Sequence, residues 1–309
     1  MSGSEAKEGA GTPATAGAGT AYLLLAFTML CWGGNAVAGR LAVSEVSPMV
    51  LTASRWLFVV LLLAVVARRQ LRRDWPVLRR HLPRLAAMGA LGFTSFNALF
   101  YVAAYSTTAV NIGIIQGAIP VFVLLGAFLL YRTPVRGLQL AGVLVTVVGV
   151  LLVATQGELE RLLGLTFALG DLLMVIACAF YAGYTLSLRN RPEVSFLSFF
   201  AVLALSAFVT TLPLVAIEAA MGEFRAPTLA GLAIIAYVGF FPSSLAQIAF
   251  MRGVSMIGPG RAGIFVNLVP VFAAILAVAI LGEPFELFQL AALALVLGGI
   301  ALAERGKRR

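Results

Sequence analysis

The sequence predicts an all-α membrane protein, with ten transmembrane helices arranged as two inverted five-helix repeats and both termini cytoplasmic. Three observations carry this. Of 309 residues, 61% are hydrophobic and 11% charged, with a mean hydropathy of +1.00; a soluble chain carries about 25% charged residues. Apolar stretches of about 20 residues, the length that crosses a hydrocarbon core about 30 Å thick, recur along the chain. The chain also repeats itself at a fixed offset of 150 residues.

Residues 1–20 are mostly Gly, Ala, Ser and Thr and read as a disordered tail. Spans 1 to 10 are then expected at 21–39, 48–67, 84–105, 108–131, 137–154, 165–188, 195–217, 228–251, 259–281 and 286–303. Span 1 is too long and too weakly flanked by basic residues for a secretory signal, since Lys7 is offset by Glu5 and Glu8. The first repeat covers 21–154 and the second 155–303, leaving 304–309 as a basic tail. Ten crossings consume about 200 residues, so a soluble catalytic domain has no room.

The arginines set the orientation. Arg68, Arg69, Arg72, Arg73, Arg79, Arg80 and Arg84 crowd the loop after span 2. Placing that loop in the cytoplasm also puts Arg132, Arg136, Arg189, Arg191, Arg252, Arg305, Lys307, Arg308 and Arg309 inside by alternation. The opposite face receives Arg40, Arg161 and Arg225 with Glu45, Glu158, Glu160, Glu218, Glu223, Glu283 and Glu286. The same sorting accounts for the net charge of +9 without a nucleic acid, because no nucleic-acid-binding motif surrounds the arginines.

At the offset of 150, Pro120-Val121-Phe122 meets Pro270-Val271-Phe272, and Gly113-Ile114 meets Gly263-Ile264. Phe100 meets Phe250, Pro134 meets Pro284, Gln139-Leu140-Ala141 meets Gln289-Leu290-Ala291, and Gly149 meets Gly299. An offset of 147 pairs Cys31 with Cys178. Each half holds five spans, an odd number, so the second enters the membrane from the opposite side. Inverted repeats recur in secondary transporters, whose solute site lies near the midplane between the halves.

Other chemistries find little support. Both cysteines lie inside spans and His81 is the one histidine, so neither a metal site nor a disulfide framework is expected, nor any cofactor. No Ser–His pair, HExxH or paired carboxylates occur within the spans, so an enzyme is not expected. A receptor or scaffold remains as the non-transport alternative, separable because it binds without flux.

The motifs resemble the EamA-type, ten-helix branch of the drug/metabolite transporter superfamily over essentially the whole chain. Cys31-Trp32-Gly33-Gly34-Asn35 followed by Arg40 is similar to that family's W-G-x-N pattern and basic residue. Arg55-Trp56-Leu57-Phe58 is similar to its arginine-aromatic motif, and Ala98-Leu99-Phe100-Tyr101 leads into the Pro120 helix as the family does. Leu281-Gly282-Glu283-Pro284 matches its Gly-Glu turn, whereas the first-half counterpart Tyr131-Arg132-Thr133-Pro134 lacks that pair. Within the branch the chain is most similar to exporters of amino acids and related metabolites, among them the aromatic amino-acid exporters called YddG. The resemblance implies export across the bacterial inner membrane by alternating access, through a central cavity lined by spans 1, 3, 4, 6, 8 and 9.

Polar side chains inside hydrocarbon are costly and usually face a partner or a wet cavity. By that rule the candidate cavity residues are Trp32 and Asn35 in span 1, Asn97, Tyr101 and Tyr105 in span 3, and Gln116 in span 4. Tyr181 and Tyr184 in span 6, Gln247 in span 8 and Asn267 in span 9 complete the set. Fourfold spacing puts Asn97, Tyr101 and Tyr105 on one helix face, and Asn97 meets Gln247 at the repeat offset. Amides and phenols suit a zwitterion's ends, and aromatic faces suit an apolar side chain or a cation. Interhelical hydrogen bonding is the competing role for each.

Pro120 and Pro270 break symmetry-related helices and read either as hinges or as fixed kinks. Pro242 meets Gly92 and lacks a proline partner. Arg55 reads as a gate or as a side chain snorkelling to the surface. Asp171 is expected to reach the surface from the start of span 6, where the helix dipole favours a carboxylate. Without a deep Glu or His network, no proton relay is expected. The expected partners are a small-molecule substrate and the lipid bilayer, with no nucleic acid and with a monomer as the working state. Organic cations and nucleotide sugars are the alternative cargoes; phosphate would call for deep basic residues, where only Arg55 and Arg261 come near.

Overall fold

The computed structural model describes residues 14–158, 160, 167–258, 262–263 and 265–308. Among them every regular element is helical. Among the described residues nine helices are long and apolar enough to cross a bilayer, and the shorter apolar helix Val266–Leu281 stands where span 9 is expected. The start predicted for that span, 259–261, lies outside the described residues.

Span 1 is Ala14–Ala42 and span 2 is Pro48–Val66. Span 3 comprises Leu82–Gly89, a π turn Ala90–Ser95 and Phe96–Ala103. Span 4 is broken at Ala118 into Ala109–Gly117 and Ile119–Tyr131. Span 5 is Gly137–Ala154, span 6 Leu169–Ser187 and span 7 Phe196–Ala220. Span 8 comprises Leu229–Val238, a π turn Gly239–Leu245 and Ala246–Ile257. Span 9 continues from a 3-10 turn, Val266–Leu268, through Val269–Leu276 into a π turn Ala277–Leu281, and span 10 is Leu287–Arg308.

Three boundaries differ most from expectation. Span 1 begins at Ala14, inside the segment read as a tail; residues 1–13 of that tail lie outside the described residues. Span 8 runs on to Ile257. Span 10 runs on to Arg308 because the Gly306 backbone packs on span 5, where it accepts from Arg136 Nη1 at 3.4 Å. The arginine-rich loop is also more than a solvated tether. It forms a helix, Arg68–Leu78, with Arg68, Arg69, Arg72 and Arg73 exposed while Asp74 and Leu78 are buried.

Contacts between spans follow a pseudo-two-fold plan. Spans 2 and 7, 4 and 9, and 5 and 10 pack as self-related pairs, while 1 against 8 mirrors 6 against 3, and 1 against 9 mirrors 6 against 4. Spans 5 and 10 show why. Gly142 abuts the Gly299 carbonyl, and Gly149 abuts that of Ala292. The offset of 150 exchanges these two contacts, so one small-residue seam is used twice. Each helix is also capped alike, with Gln139 Oε1 accepting from Arg136 N at 3.0 Å and Gln289 Oε1 from Glu286 N at 2.9 Å.

Carboxylates cap helices across the two repeats. Glu218, at the end of span 7, accepts from Ser47 Oγ at 2.6 Å and Met49 N at 3.0 Å, at the start of span 2. Asp74, beyond span 2, accepts from Ser195 N at 2.9 Å at the start of span 7. Four backbone N–H groups at a helix start lack helical partners and favour negative charge, so the pairing of spans 2 and 7 is fixed at both ends. Glu218 and Glu283 thus gather on one face of the bundle, and Asp74 and Arg136 on the other, as the alternation of loops requires.

Candidate functional site

The first motif shows how the sequence builds the centre. Gly33 lets the span 9 backbone approach, since a Cβ there would lie 2.8 Å from Ala273 N. Gly34 likewise makes room for the Tyr237 hydroxyl of span 8. Trp32 Nε1 donates to the Pro242 carbonyl at 3.2 Å, and its ring lies 5.3 Å from that of Phe250. Asn35, one turn on, faces span 2.

There it meets Arg55. The Arg55 side chain does not snorkel to the surface; the residue is 4% exposed and held among spans 1, 3 and 8. Nε and Nη2 donate to Ser243 Oγ at 2.9 and 2.5 Å. Nη1 donates to Asn97 Oδ1 at 2.6 Å, Tyr101 Oη at 2.5 Å and Asn35 Oδ1 at 3.4 Å. Tyr101 Oη donates to Asn35 Oδ1 at 3.0 Å, and Asn97 Nδ2 to the Phe93 carbonyl at 2.6 Å. The guanidinium also lies 5.3 Å from the Trp56 ring centroid and 5.7 Å from that of Tyr101. Its hydrogen-bond partners are all neutral; the ion pairs among the described residues are Arg40–Glu283 and Arg73–Asp74. Removing a guanidinium from water costs several kcal/mol, and neutral acceptors offset that less fully than a carboxylate does.

The π turns explain how two of these partners arrive. A π turn inserts one residue into the helical ladder and is frequent at functional sites. Ala90–Ser95 and Gly239–Leu245 coincide at the repeat offset, which gives Pro242 its counterpart in conformation if not in residue type. The first precedes Asn97, and the second carries Ser243. The first packs on spans 6 and 7, the second on spans 1 and 2. An aromatic wall continues from Arg55 through Trp56, Phe93, Tyr184 and Tyr181, with successive ring centroids 4.6, 5.2 and 5.4 Å apart.

The remaining predicted residues divide. Gln116, Tyr181, Gln247 and Asn267 are half-buried. Gln116 Oε1 is a buried acceptor without a hydrogen-bond partner among the described residues. Tyr105 parts from Asn97 and Tyr101 because span 3 ends at Ala103, leaving it 39% exposed in the turn beyond. Pro120 and Pro270 each open a helical segment, Ile119–Tyr131 and Val269–Leu276, and Pro270 packs on Gly117 of span 4. A cleft of about 350 Å³ beside the Ala118 break, between spans 4, 5 and 6, is apolar and holds none of the predicted site residues.

A second buried cluster was not anticipated. Asp171 is 0% exposed rather than reaching the surface. It accepts from Thr107 Oγ1 and, at 3.4 Å, from Asn111 Nδ2, while Gln289 Nε2 donates to Asn111 Oδ1 at 2.8 Å. The turn after span 3 folds over the start of span 6 and seals it. Ser243 and Trp56 also stand beside Arg55 outside the candidate cavity set, Trp56 having appeared only within its motif; Ser243 stands where the first repeat has Phe93, so the repeat gives no hint of it.

The motif glutamate ties the repeats together. Glu283 accepts from Ala109 N at 3.0 Å and Val110 N at 3.1 Å, capping span 4, and pairs with Arg40 Nε at 3.6 Å. Gly282 before it is left-handed, with φ 65°, and Arg132 at the matching place adopts φ 50°. The turn is therefore kept in both halves, although the first has Arg132 in place of the glycine and Thr133 in place of the carboxylate.

The model of the EamA-like transporter family matches residues 19–155 and again residues 168–304. The uncharacterized transporter YetK of Bacillus subtilis (strain 168) is 29% identical over 285 residues, covering 91% of this chain and 85% of its own. The uncharacterized transporter YyaM of the same organism is 26% identical over 295 residues, covering 91% and 92%. A solved crystal structure superposes with a TM-score of 0.61 at 20% identity, covering 92% of this chain and 96% of its own, and is similar in fold.

Proposed function

We propose that this chain, which belongs to the EamA-like transporter family, exports small metabolites across the bacterial inner membrane by alternating access between its repeats. Amino acids, neutral and aromatic ones foremost, are the proposed cargo. The observation that carries this reading is the pairing of helix breaks about the pseudo-two-fold axis: the two π turns and the two proline junctions. A break in each repeat gives two related packings of one scaffold, which a transporter needs and a receptor does not. Around those breaks stand half-buried amides and aromatic rings, including the unused Gln116 acceptor, which suits an ammonium donor. The arginine-rich helix favours the cytoplasm for its face, and with it both termini.

Counterflow in proteoliposomes tests the proposal. Vesicles loaded with unlabelled Phe, Trp, Thr or Met should accumulate the labelled amino acid saturably and without an imposed proton gradient. Folded protein that exchanges none of the panel would sink the amino-acid assignment and turn the search to cations and nucleotide sugars.

A further inference from the structure

From the Arg55 network we infer a binding site for a substrate carboxylate, which doubles as a latch holding spans 1, 2, 3 and 8 together. The inference rests on the transport reading only for the latch's purpose; the anion site stands on geometry alone. Five donor contacts from one buried guanidinium end on neutral oxygens of Asn35, Asn97, Tyr101 and Ser243. These come from spans 1, 3 and 8, so a single side chain of span 2 holds three neighbours. A carboxylate matches the planar fork in two parallel bonds and carries the missing charge. It therefore replaces the neutral acceptors at a net gain, and each acceptor it replaces frees a span. A solute without a carboxylate supplies no such difference between latched and released states and leaves the equilibrium where it was. The aromatic wall starting at Trp56 lies beside the guanidinium and would receive the ring of an aromatic acid.

The test uses the full chain and three probes: L-phenylalanine, its carboxamide, and 3-phenylpropionate, which keeps ring and carboxylate but lacks the ammonium. Ligand-induced thermal shifts in detergent and counterflow in vesicles are read for each. The two acids are expected to bind about 10- to 100-fold more tightly than the amide, the range of a charge-assisted hydrogen bond. Arg55→Gln should lower both acids to the amide's level, and Arg55→Lys should restore part of the difference. Wild-type protein that prefers neither acid over the amide overturns the site with no variant needed. Folded Arg55→Gln that keeps the preference overturns it too. The two readings fail separately: exchange of phenylalanine and its amide alike sinks the carboxylate site and keeps transport. Arg55-dependent binding of 3-phenylpropionate without exchange of any amino acid keeps the site and sinks the amino-acid reading.

Discussion

Gly298 and Gly299 are neighbours in span 10 whose replacement by alanine should have opposite effects. A Cβ on Gly299 would lie 2.6 Å from Gly142 O and 2.7 Å from Thr146 N. Both are backbone atoms of span 5, so relief requires the two helices to part. Overpacking of this kind costs about 1–3 kcal/mol. A Cβ on Gly298 meets nothing within 4 Å, and alanine there gains up to about 1 kcal/mol from the lower backbone freedom of the unfolded chain. The two variants should therefore differ by about 1–4 kcal/mol in stability. Gly149→Ala, whose Cβ would stand 3.0 Å from Ala292 O, should fall between them. Thermal unfolding of purified protein, followed by intrinsic fluorescence in one detergent, ranks the three. If Gly299→Ala melts with or above Gly298→Ala, the seam between spans 5 and 10 is looser than described and the pseudo-two-fold packing argument fails.

Other perturbations test separate links. Arg132→Gly should stabilise by about 1 kcal/mol, because Arg132 holds a left-handed conformation that its counterpart Gly282 adopts freely; an unchanged melting temperature would count against strain there. Asp171→Asn and Thr107→Val should each destabilise, by about 1–3 kcal/mol for a buried partner left unmatched. The double variant should fall short of their sum by at least about 0.5 kcal/mol, and strict additivity would show that the two do not act together. Tyr101→Phe removes one acceptor from buried Arg55 and should lower stability by about 1–2 kcal/mol; a neutral result would mean that other groups satisfy the guanidinium.

The periodic features of this fold were legible in the sequence, and those that depend on a distant partner were not. Hydropathy alone located the spans, and Pro120 and Pro270 carried the repeat because a proline marks the same backbone break in each half. The paired π turns stayed hidden, since one contains Gly92 and the other Pro242, residues that perturb a helix for different reasons. Gln139 and Gln289 were seen as a repeat, but their capping role needed the helix starts to be placed. Position within its own helix does not tell how deeply Asp171 or Arg55 is buried. Their burial is decided by Thr107, Asn111, Asn97 and Ser243, which arrive from elsewhere. Tyr105 was placed beside Tyr101 by a periodicity that lapses where the helix ends. Gly33 and Gly34 stand in the sequence as part of a motif, and only the approach of spans 8 and 9 gives them a physical meaning.

Alternating access requires the two faces of the bundle to open in turn. Spin labels at the exposed residues Ser106 and Glu223 would report one face, and labels at Asn190 and Ser255 the other. Pulsed-EPR distances for the two pairs, in vesicles with and without L-phenylalanine, test the account most directly. The prediction is that ligand shifts the populations so that one pair separates as the other closes. Distances that stay fixed in both pairs, or that widen together, would contradict it.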